Sequence, residues 1–185
     1  MTSTTGKREA ILGAAQALFL KHGLRGTSME AIARAAGIAK PTLYAYFPDK
    51  PAIFSALLAQ LIATWRIDFV TALQGDGDIV RRAGAALTAK YKGLMRLVAG
   101  SPHAEELYGE GDRLSVRDLR QLDDELASAL EAELARAGVV RARLVTQLLL
   151  AAAYGIGHKA HSPAELGPAL RLLAERLIRP ELPGP

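Results

Sequence analysis

A short stretch near the N-terminus contains side chains that can contact a nucleic acid. Thr27 and Ser28 open a segment with helical apolar spacing, and the free N–H groups and hydroxyls at such a start can bind a phosphate. Lys40 can donate to O6 and N7 of guanine, and Pro41 or Thr42 can contact the methyl group of thymine. A flexible phosphate contact is the competing interpretation for Lys40. Together these residues predict a surface that reads DNA.

Two short helices joined by a tight turn are predicted to position these side chains. The first helix begins at Thr27, the predicted N-cap, and Glu30 completes a capping box. Gly37 stands where a helix needs a left-handed residue to end. The second helix begins at about Ala39 and ends before Pro48, because the residue before a proline avoids the helical region. These features predict a helix-turn-helix, whose second helix enters a major groove with its first residues against the base edges.

This stretch resembles the helix-turn-helix of the TetR family of bacterial transcriptional repressors. The positions that carry the likeness are Thr27-Ser28, Ile32-Ala33, Ala36-Gly37-Ile38, Leu43-Tyr44, Tyr46-Phe47 and Lys50. The resemblance implies a DNA-binding domain over residues 5–65, with the motif itself at 28–47. It also implies that Tyr44, Tyr46 and Lys50 hold the DNA backbone. A half-buried packing role is the competing interpretation for Tyr44.

The positive charge of the chain is concentrated near the N-terminus, in the part that contains the predicted helix-turn-helix. The first 60 residues contain seven Lys and Arg but only three Asp and Glu, and the charges of the remaining residues cancel. The whole formal charge of +4 therefore lies in the helix-turn-helix third of the chain. An ordinary basic, solvated face is the competing interpretation, but beside this motif a local positive field favours phosphate binding.

The composition predicts an all-α protein. Half of the residues are apolar, mainly Ala and Leu, and no alternating β-branched stretch occurs. The absence of cysteine excludes a disulfide framework and a thiolate metal site. The N-terminus lacks a signal-peptide pattern, and the apolar, uncharged run at residues 144–157 is short for a bilayer. We expect a cytoplasmic protein with no membrane partner, no cofactor and no metal site.

About nine helices are predicted, in an N-terminal three-helix domain and a C-terminal helical bundle. The first is predicted over residues 7–22, closed by Gly23. After the first three, they are expected at residues 49–74, 79–99, 103–108, 115–137, 140–158 and 162–178. The glycine-rich and acidic runs Gly75–Asp78 and Gly109–Asp112 supply two of the breaks.

The last two long helices are predicted to form a dimer interface. Residues 144–157 are apolar almost all round, and a second subunit would cover the side that does not face the chain's own core. The TetR likeness implies a four-helix interface between these helices and their symmetry mates. The predicted interface residues are Leu148, Ala151, Ala152, Gly155, Leu170, Leu173 and Leu177. The competing interpretation is a monomer in which the first of these helices is fully internal.

The TetR likeness also implies an effector-binding and dimerisation domain over residues 75–180. Apolar pockets between bundled helices commonly hold small molecules. The residues predicted to line such a pocket are Trp65, Phe69, Tyr91, Met95, His103, Tyr108, Tyr154 and His158. Core packing is the competing interpretation for each of them. Because no dense charge cluster is expected inside, the sequence favours a small, apolar effector.

These observations predict a repressor that binds a palindromic DNA operator as a homodimer and is released by a small apolar ligand. The alternative is a DNA-binding architectural or cell-division factor of the same fold without an effector. The sequence contains no glycine-rich phosphate loop, HExxH motif, nucleophile elbow or acidic metal cluster. No catalytic residue and no enzymatic activity are therefore predicted.

Overall fold

The computed structural model describes residues 4–98, 101–160 and 162–183, which contain helices and no strand. The helices are α1 (Thr4–Gly26), α2 (Met29–Ala35), α3 (Lys40–Tyr46), α4 (Lys50–Leu73), α5 (Ile79–Val98), α6 (Ala104–Arg136), α7 (Ala142–Lys159), α8 (Pro163–Ile178) and a short 3-10 helix (Arg179–Glu181). The predicted all-α fold is confirmed. The described part of the chain holds nine helices when the 3-10 helix is counted.

The chain divides into two compact units. The first unit comprises Met1–Ile62 and Val98–Leu119, and the second comprises Ala63–Leu97 and Arg120–Pro185. Each division therefore falls at or inside a helix. The segment Val98–Leu119 belongs to the same compact unit as the helix-turn-helix. The functional division into residues 5–65 and 75–180 stays a prediction.

An apolar core holds the first unit together around α1, α2 and α3. Phe19 of α1 and Phe54 of α4 meet edge to face, with ring centroids 5.8 Å apart. Leu107 of α6 is buried in the same core. The other large buried side chains are Ile11, Leu12, Leu24, Met29, Ile32, Leu43, Phe47, Ile53 and Leu57. Burial of this apolar surface fixes the positions of the three short N-terminal elements.

The second unit is a leucine-rich bundle. In α6, Leu122, Leu126 and Leu130 recur four residues apart on one face and are buried. Three ion pairs border this face: Arg66 with Glu125 (2.7 Å), Lys90 with Asp123 (2.5 Å) and Arg82 with Glu133 (3.1 Å). By length and composition alone α4 could also cross a bilayer, a property that it shares with core helices. Here its Trp65, Phe69 and Leu73 are buried.

One predicted break is wrong. The sequence separated a helix at 103–108 from another at 115–137, whereas α6 runs without interruption from Ala104 to Arg136. Glycine lowers helix stability by roughly 1 kcal/mol but does not prevent helix formation, and no proline interrupts this run. Leu107 before Gly109–Asp112 and Leu122 after it are both buried, and this packing on each side favours a continuous helix.

The predicted end of the first helix corresponds to a sharp change of backbone direction. Gly23 lies inside the helical span of α1 but has φ +72° and ψ 169°. Only glycine adopts such values readily, so α1 is regular before Gly23 and continues beyond it as a separate turn.

Candidate DNA-binding site

The turn between α2 and α3 has the hydrogen bonds of a Schellman motif. Gly37 has φ +67°, its N–H donates to Arg34 O (3.2 Å), and the Ile38 N–H donates to Ala33 O (3.0 Å). These bonds satisfy two carbonyls at the end of α2 and redirect the chain sharply. Ile38 then packs against the core, which fixes the start of α3 relative to α2.

The start of α2 differs by one residue from the prediction. Ser28, with extended backbone angles, is the N-cap, and its Oγ accepts a hydrogen bond from the Ala31 N–H (3.1 Å). Thr27 is 3% exposed, and its hydroxyl donates to Gly23 O at 2.7 Å. The predicted N-cap Thr27 is therefore wrong, because its hydroxyl faces inward. Ser28 remains at the surface, where the phosphate contact was predicted.

Helix α3 exposes the residues that were predicted to meet the bases. Ala39, Lys40 and Pro41 are exposed and Thr42 is half-buried, while Leu43 behind them is fully buried. Ala39 precedes the helix in an extended conformation, and no side chain caps its N-terminus. The first turn of α3 therefore presents its backbone N–H groups and the Lys40 side chain to solvent.

Lys40 contacts an acidic side chain that the sequence analysis did not assign to the site. Its ammonium pairs with the Glu30 carboxylate of α2 and lies 5.9 Å from the centre of the Tyr44 ring. The hydrogen bond to Glu30 raises the pKa of Lys40, and the same bond lowers the pKa of Glu30. Because the pair is exposed, water screens it and DNA can displace Glu30 from Lys40. The two residues lie on different helices, so no sequence spacing signals the pair.

The two tyrosines of α3 differ in exposure. Tyr44 is 44% exposed and Tyr46 is half-buried against the core of the first unit. Both are candidates for DNA-backbone contacts, but Tyr46 also packs. Lys7 lies beside this surface, because a groove of about 360 Å³ is lined by Lys7 of α1 and by residues 36–39 and Thr42.

Lys50, the remaining predicted DNA contact, binds backbone oxygens of its own chain. Its ammonium donates to the carbonyls of Leu24 (2.7 Å), Thr27 (2.6 Å) and Arg25 (3.4 Å). Leu24 and Arg25 lie in the last residues of α1, beyond the kink at Gly23, and Thr27 lies between α1 and α2. The structure thus places Lys50 at the side of the site, with its charge directed at these carbonyls.

Three of the predicted interface residues lie on one solvent-exposed strip of α7, and the other four are half-buried or buried in α7 and α8. Leu148 is 47% exposed, and Ala151 and Gly155 are exposed with it on the same face. Ala152, Leu173 and Leu177 are half-buried. Leu170 is fully buried in its own unit and therefore cannot be an interface residue without rearrangement, whereas its neighbour Leu172 is 57% exposed. Leu144, which the prediction omitted, extends the strip at helical spacing.

The predicted pocket residues do not form one cluster. Trp65 and Phe69 are buried in the second unit, where Tyr91 and Met95 are half-buried. Burial raises the pKa of Tyr91. His103 belongs to the first unit, and the side chain of Tyr108 lies outside the described residues. Tyr154 and His158 stack on each other on the exposed side of α7, with ring centroids 5.5 Å apart, so they do not line an enclosed pocket of one protomer.

The described part of the chain contains no candidate metal-binding site. Residues 4–98, 101–160 and 162–183 contain no group of three His, Asp or Glu side chains that could hold a metal ion. The His103 Nδ1 and Glu106 Oε2 atoms lie 3.6 Å apart, but these two residues, three positions apart in the chain, are only a pair.

Comparison with known proteins identifies the helix-turn-helix region. Residues 11–57 match the family described as bacterial regulatory proteins, tetR family. The helix-turn-helix region of the chain is therefore similar to that of the TetR family. The predicted resemblance is confirmed. The match contains α2, α3 and the first turns of α4, which are the elements that form the site described above.

Two curated HTH-type transcriptional regulators are similar in this region. The HTH-type transcriptional regulator RutR of Escherichia coli K12 is 41% identical over 63 residues, which are 34% of this chain and 30% of RutR. The HTH-type transcriptional repressor ComR of the same strain is 42% identical over 55 residues, 30% of this chain and 26% of ComR. The matched part of the chain spans less than a third of the length of these relatives.

Two solved structures share the fold over nearly the whole chain. A TetR/AcrR-family regulator from Thermobifida fusca has a TM-score of 0.70 at 22% identity, covering 90% of this chain and 95% of its own. GusR of Salmonella enterica has a TM-score of 0.66 at 23% identity, covering 97% and 98%. At these identities the likeness concerns the fold alone.

Proposed function

We propose that this protein is a TetR-family transcriptional regulator that binds a palindromic DNA operator as a homodimer. The observation that carries the proposal is the exposed first turn of α3, residues Ala39 to Thr42, backed by the buried Leu43. A rigid helix with an exposed, uncapped and basic start fits a major groove. A cytoplasmic location without a membrane partner belongs to the same proposal.

The contacts would divide into those that read bases and those that hold the DNA backbone. Lys40 would exchange its Glu30 partner for guanine acceptors, while Pro41 and Thr42 would contact thymine methyl groups. Ser28 at the start of α2 and Tyr44 of α3, which are both exposed, would contact phosphates. The predicted excess of positive charge in the first 60 residues would attract the duplex before these contacts form.

A homodimer is supported by the exposed apolar strip of α7. Leu144, Leu148, Ala151 and Gly155 lie on one face of this helix, and Leu172 of α8 is exposed in the same unit. Small residues in the strip would let a partner helix approach closely. A two-fold symmetric pair would present two α3 helices, so the operator would be an inverted repeat.

Repression relieved by a small apolar ligand is the finer part of the proposal. Its support comes from two aromatic side chains and a methionine in the second unit, Trp65, Tyr91 and Met95. Of these, Tyr91 and Met95 are partly accessible to solvent. The ComR relative is described as a repressor. The alternative is an architectural or cell-division factor without an effector. A thermal-shift screen with apolar small molecules separates the two, since only the first protein has a ligand that raises its melting temperature.

The proposed function is tested by selecting bound duplexes from a random DNA pool at a stated salt concentration. We expect enrichment of an inverted repeat whose half-sites are separated by about one helical turn or more. Enrichment of no symmetric sequence over random competitor, by a purified and folded protein, would contradict the proposal.

Lys40→Ala is expected to relax base preference at one position in each half-site. Because a lysine donates to guanine O6 and N7, its loss should reduce discrimination there by about tenfold to a hundredfold. The measurement is competition between the selected duplex and duplexes altered at single base pairs. Lys21→Ala, an exposed lysine elsewhere on α1, is the control and should leave every preference intact. Equal losses on selected and random DNA would make Lys40 a backbone contact.

A further inference from the structure

The ammonium of Lys50 is engaged by the turn that leads into the DNA-binding motif. Its hydrogen bonds to Thr27 O (2.6 Å) and Leu24 O (2.7 Å) are short, and Arg25 O lies at 3.4 Å. An ammonium group has three N–H donors, so these three acceptors can use all of them. The carbonyls converge because Gly23, with φ +72°, bends the chain away from α1.

The same turn is also held from α1 and from α6. Thr27 donates its hydroxyl to Gly23 O (2.7 Å), which closes the turn on itself. The Arg25 N–H donates to the Glu106 carboxylate of α6 (2.9 Å), and Ser101 donates its hydroxyl to Leu20 O (2.7 Å) in the part of α1 that precedes the turn. All of these groups belong to the first unit. Residues 24–27 are therefore fixed on several sides.

The fixed turn determines where α2 begins. Ser28, the N-cap of α2, follows Thr27 directly. The Schellman turn at Gly37 then ties α2 to α3 with little freedom. A displacement of residues 24–27 would consequently move Ser28 and the first turn of α3 together.

We propose that Lys50 is a positioning residue for DNA binding, which orients α2 and α3 through the carbonyls of residues 24, 25 and 27 and does not contact a DNA phosphate. This inference rests on the proposed function. It departs from the role that the TetR likeness implies for this lysine. The physical reason is that a phosphate could receive a hydrogen bond from Lys50 only if a carbonyl lost one.

The test compares Lys50→Met and Lys50→Arg with the wild-type protein. A compact ammonium fits a cluster of three carbonyls, whereas the planar guanidinium of arginine suits a phosphate. The control is Lys21→Met, which removes an exposed lysine from α1. Two quantities are measured: amide hydrogen exchange of residues 24–32 without DNA, and affinity for the selected duplex over a series of salt concentrations, well below the melting temperature.

Both Lys50 variants should speed amide exchange in residues 24–32 and weaken DNA binding by about tenfold at every salt concentration. The slope of log K against log salt should equal that of the wild type, because no phosphate contact is lost. Lys21→Met should change neither exchange nor affinity. A merely structural role would leave the affinity of the folded molecules unchanged.

Two results would overturn the proposal. One is a slope lowered by about one in Lys50→Met together with normal binding by Lys50→Arg, which is the behaviour of a phosphate contact. The other is unchanged amide exchange in both variants. If the wild-type protein selects no duplex, the proposed function fails, and the exchange measurement still decides whether Lys50 fixes the turn. If Lys50→Met does not fold, Lys50→Arg gives both readouts.

Discussion

Leu148→Glu is expected to convert the protein from a dimer to a monomer at micromolar concentration. Leu148 is 47% exposed in the protomer and lies on the strip of α7 proposed as the interface. A two-fold interface uses the same patch from both subunits, so this one change places two carboxylates in apolar surroundings. Burying unpaired charges costs several kcal/mol, so the dissociation constant of the dimer should rise by about a hundredfold or more. Sedimentation equilibrium measures the change.

DNA binding should fall with the dimer. A dimer that occupies two half-sites binds about 10² to 10⁴ times more tightly than a single DNA-binding domain. Leu148→Glu should lose most of this gain in affinity on the full operator. Its affinity for an isolated half-site should equal that of the wild-type protomer. Both affinities are measured by titration of labelled duplexes at one salt concentration.

The matched control for this prediction is Ile67→Glu. Ile67 of α4 is 64% exposed and lies in the same unit, but it is not on the strip formed by α7. This variant should remain a dimer with wild-type affinity. A dimeric Leu148→Glu protein would refute the interface, and a monomeric wild-type protein would refute the homodimer itself.

The outcome at α8 shows what amphipathic pattern alone can predict. Leu170 and Leu172 are both leucines of one apolar helix, yet Leu170 is fully buried in its own unit while Leu172 is exposed. The sequence shows that both are apolar, but which face meets the core depends on how α7 and α8 pack. That packing is decided by contacts between distant residues, which single-helix periodicity does not contain.

The sequence predicted helix ends more reliably at positions where the backbone conformation requires a particular residue type. Gly23 and Gly37 were predicted as helix ends, and both have positive φ. The capping prediction was off by one residue, because Thr27 and Ser28 carry the same kind of hydroxyl. Burial of the Thr27 side chain, a tertiary effect, selected Ser28 as the cap.

The chemical environment of the site lysines could not be predicted from spacing. Lys40 pairs with Glu30 of another helix, and Lys50 reaches carbonyls more than 20 residues earlier in the chain. A resemblance identifies which lysines a family uses, but it does not identify their partners in the free protein. Those partners decide whether a lysine must give up a hydrogen bond in order to contact DNA, or whether it supports DNA binding by keeping that hydrogen bond.

Gly23→Ala is expected to destabilise the first unit strongly. With φ +72°, any other residue at this position is strained, and an added Cβ would overlap with Glu106 Oε2 and lie 2.9 Å from His103 Nδ1. Displacing Glu106 would also break its hydrogen bond with the Arg25 N–H. Backbone strain and the lost bond together should lower the free energy of unfolding by about 2–4 kcal/mol. Chemical denaturation measures this change.

Gly13→Ala is the matched control in the same helix. Gly13 is exposed in α1, and an added Cβ would meet no atom within 4 Å. Alanine there should raise stability by roughly 0.5–1 kcal/mol, so the two glycine substitutions should act in opposite directions. Hydrogen exchange should locate the effect of Gly23→Ala in residues 20–32, which include the backbone groups of residues 24, 25 and 27 that Lys50 and Glu106 bind. If Gly23→Ala is as stable as the wild type, the tight packing of α6 against this turn does not exist in solution.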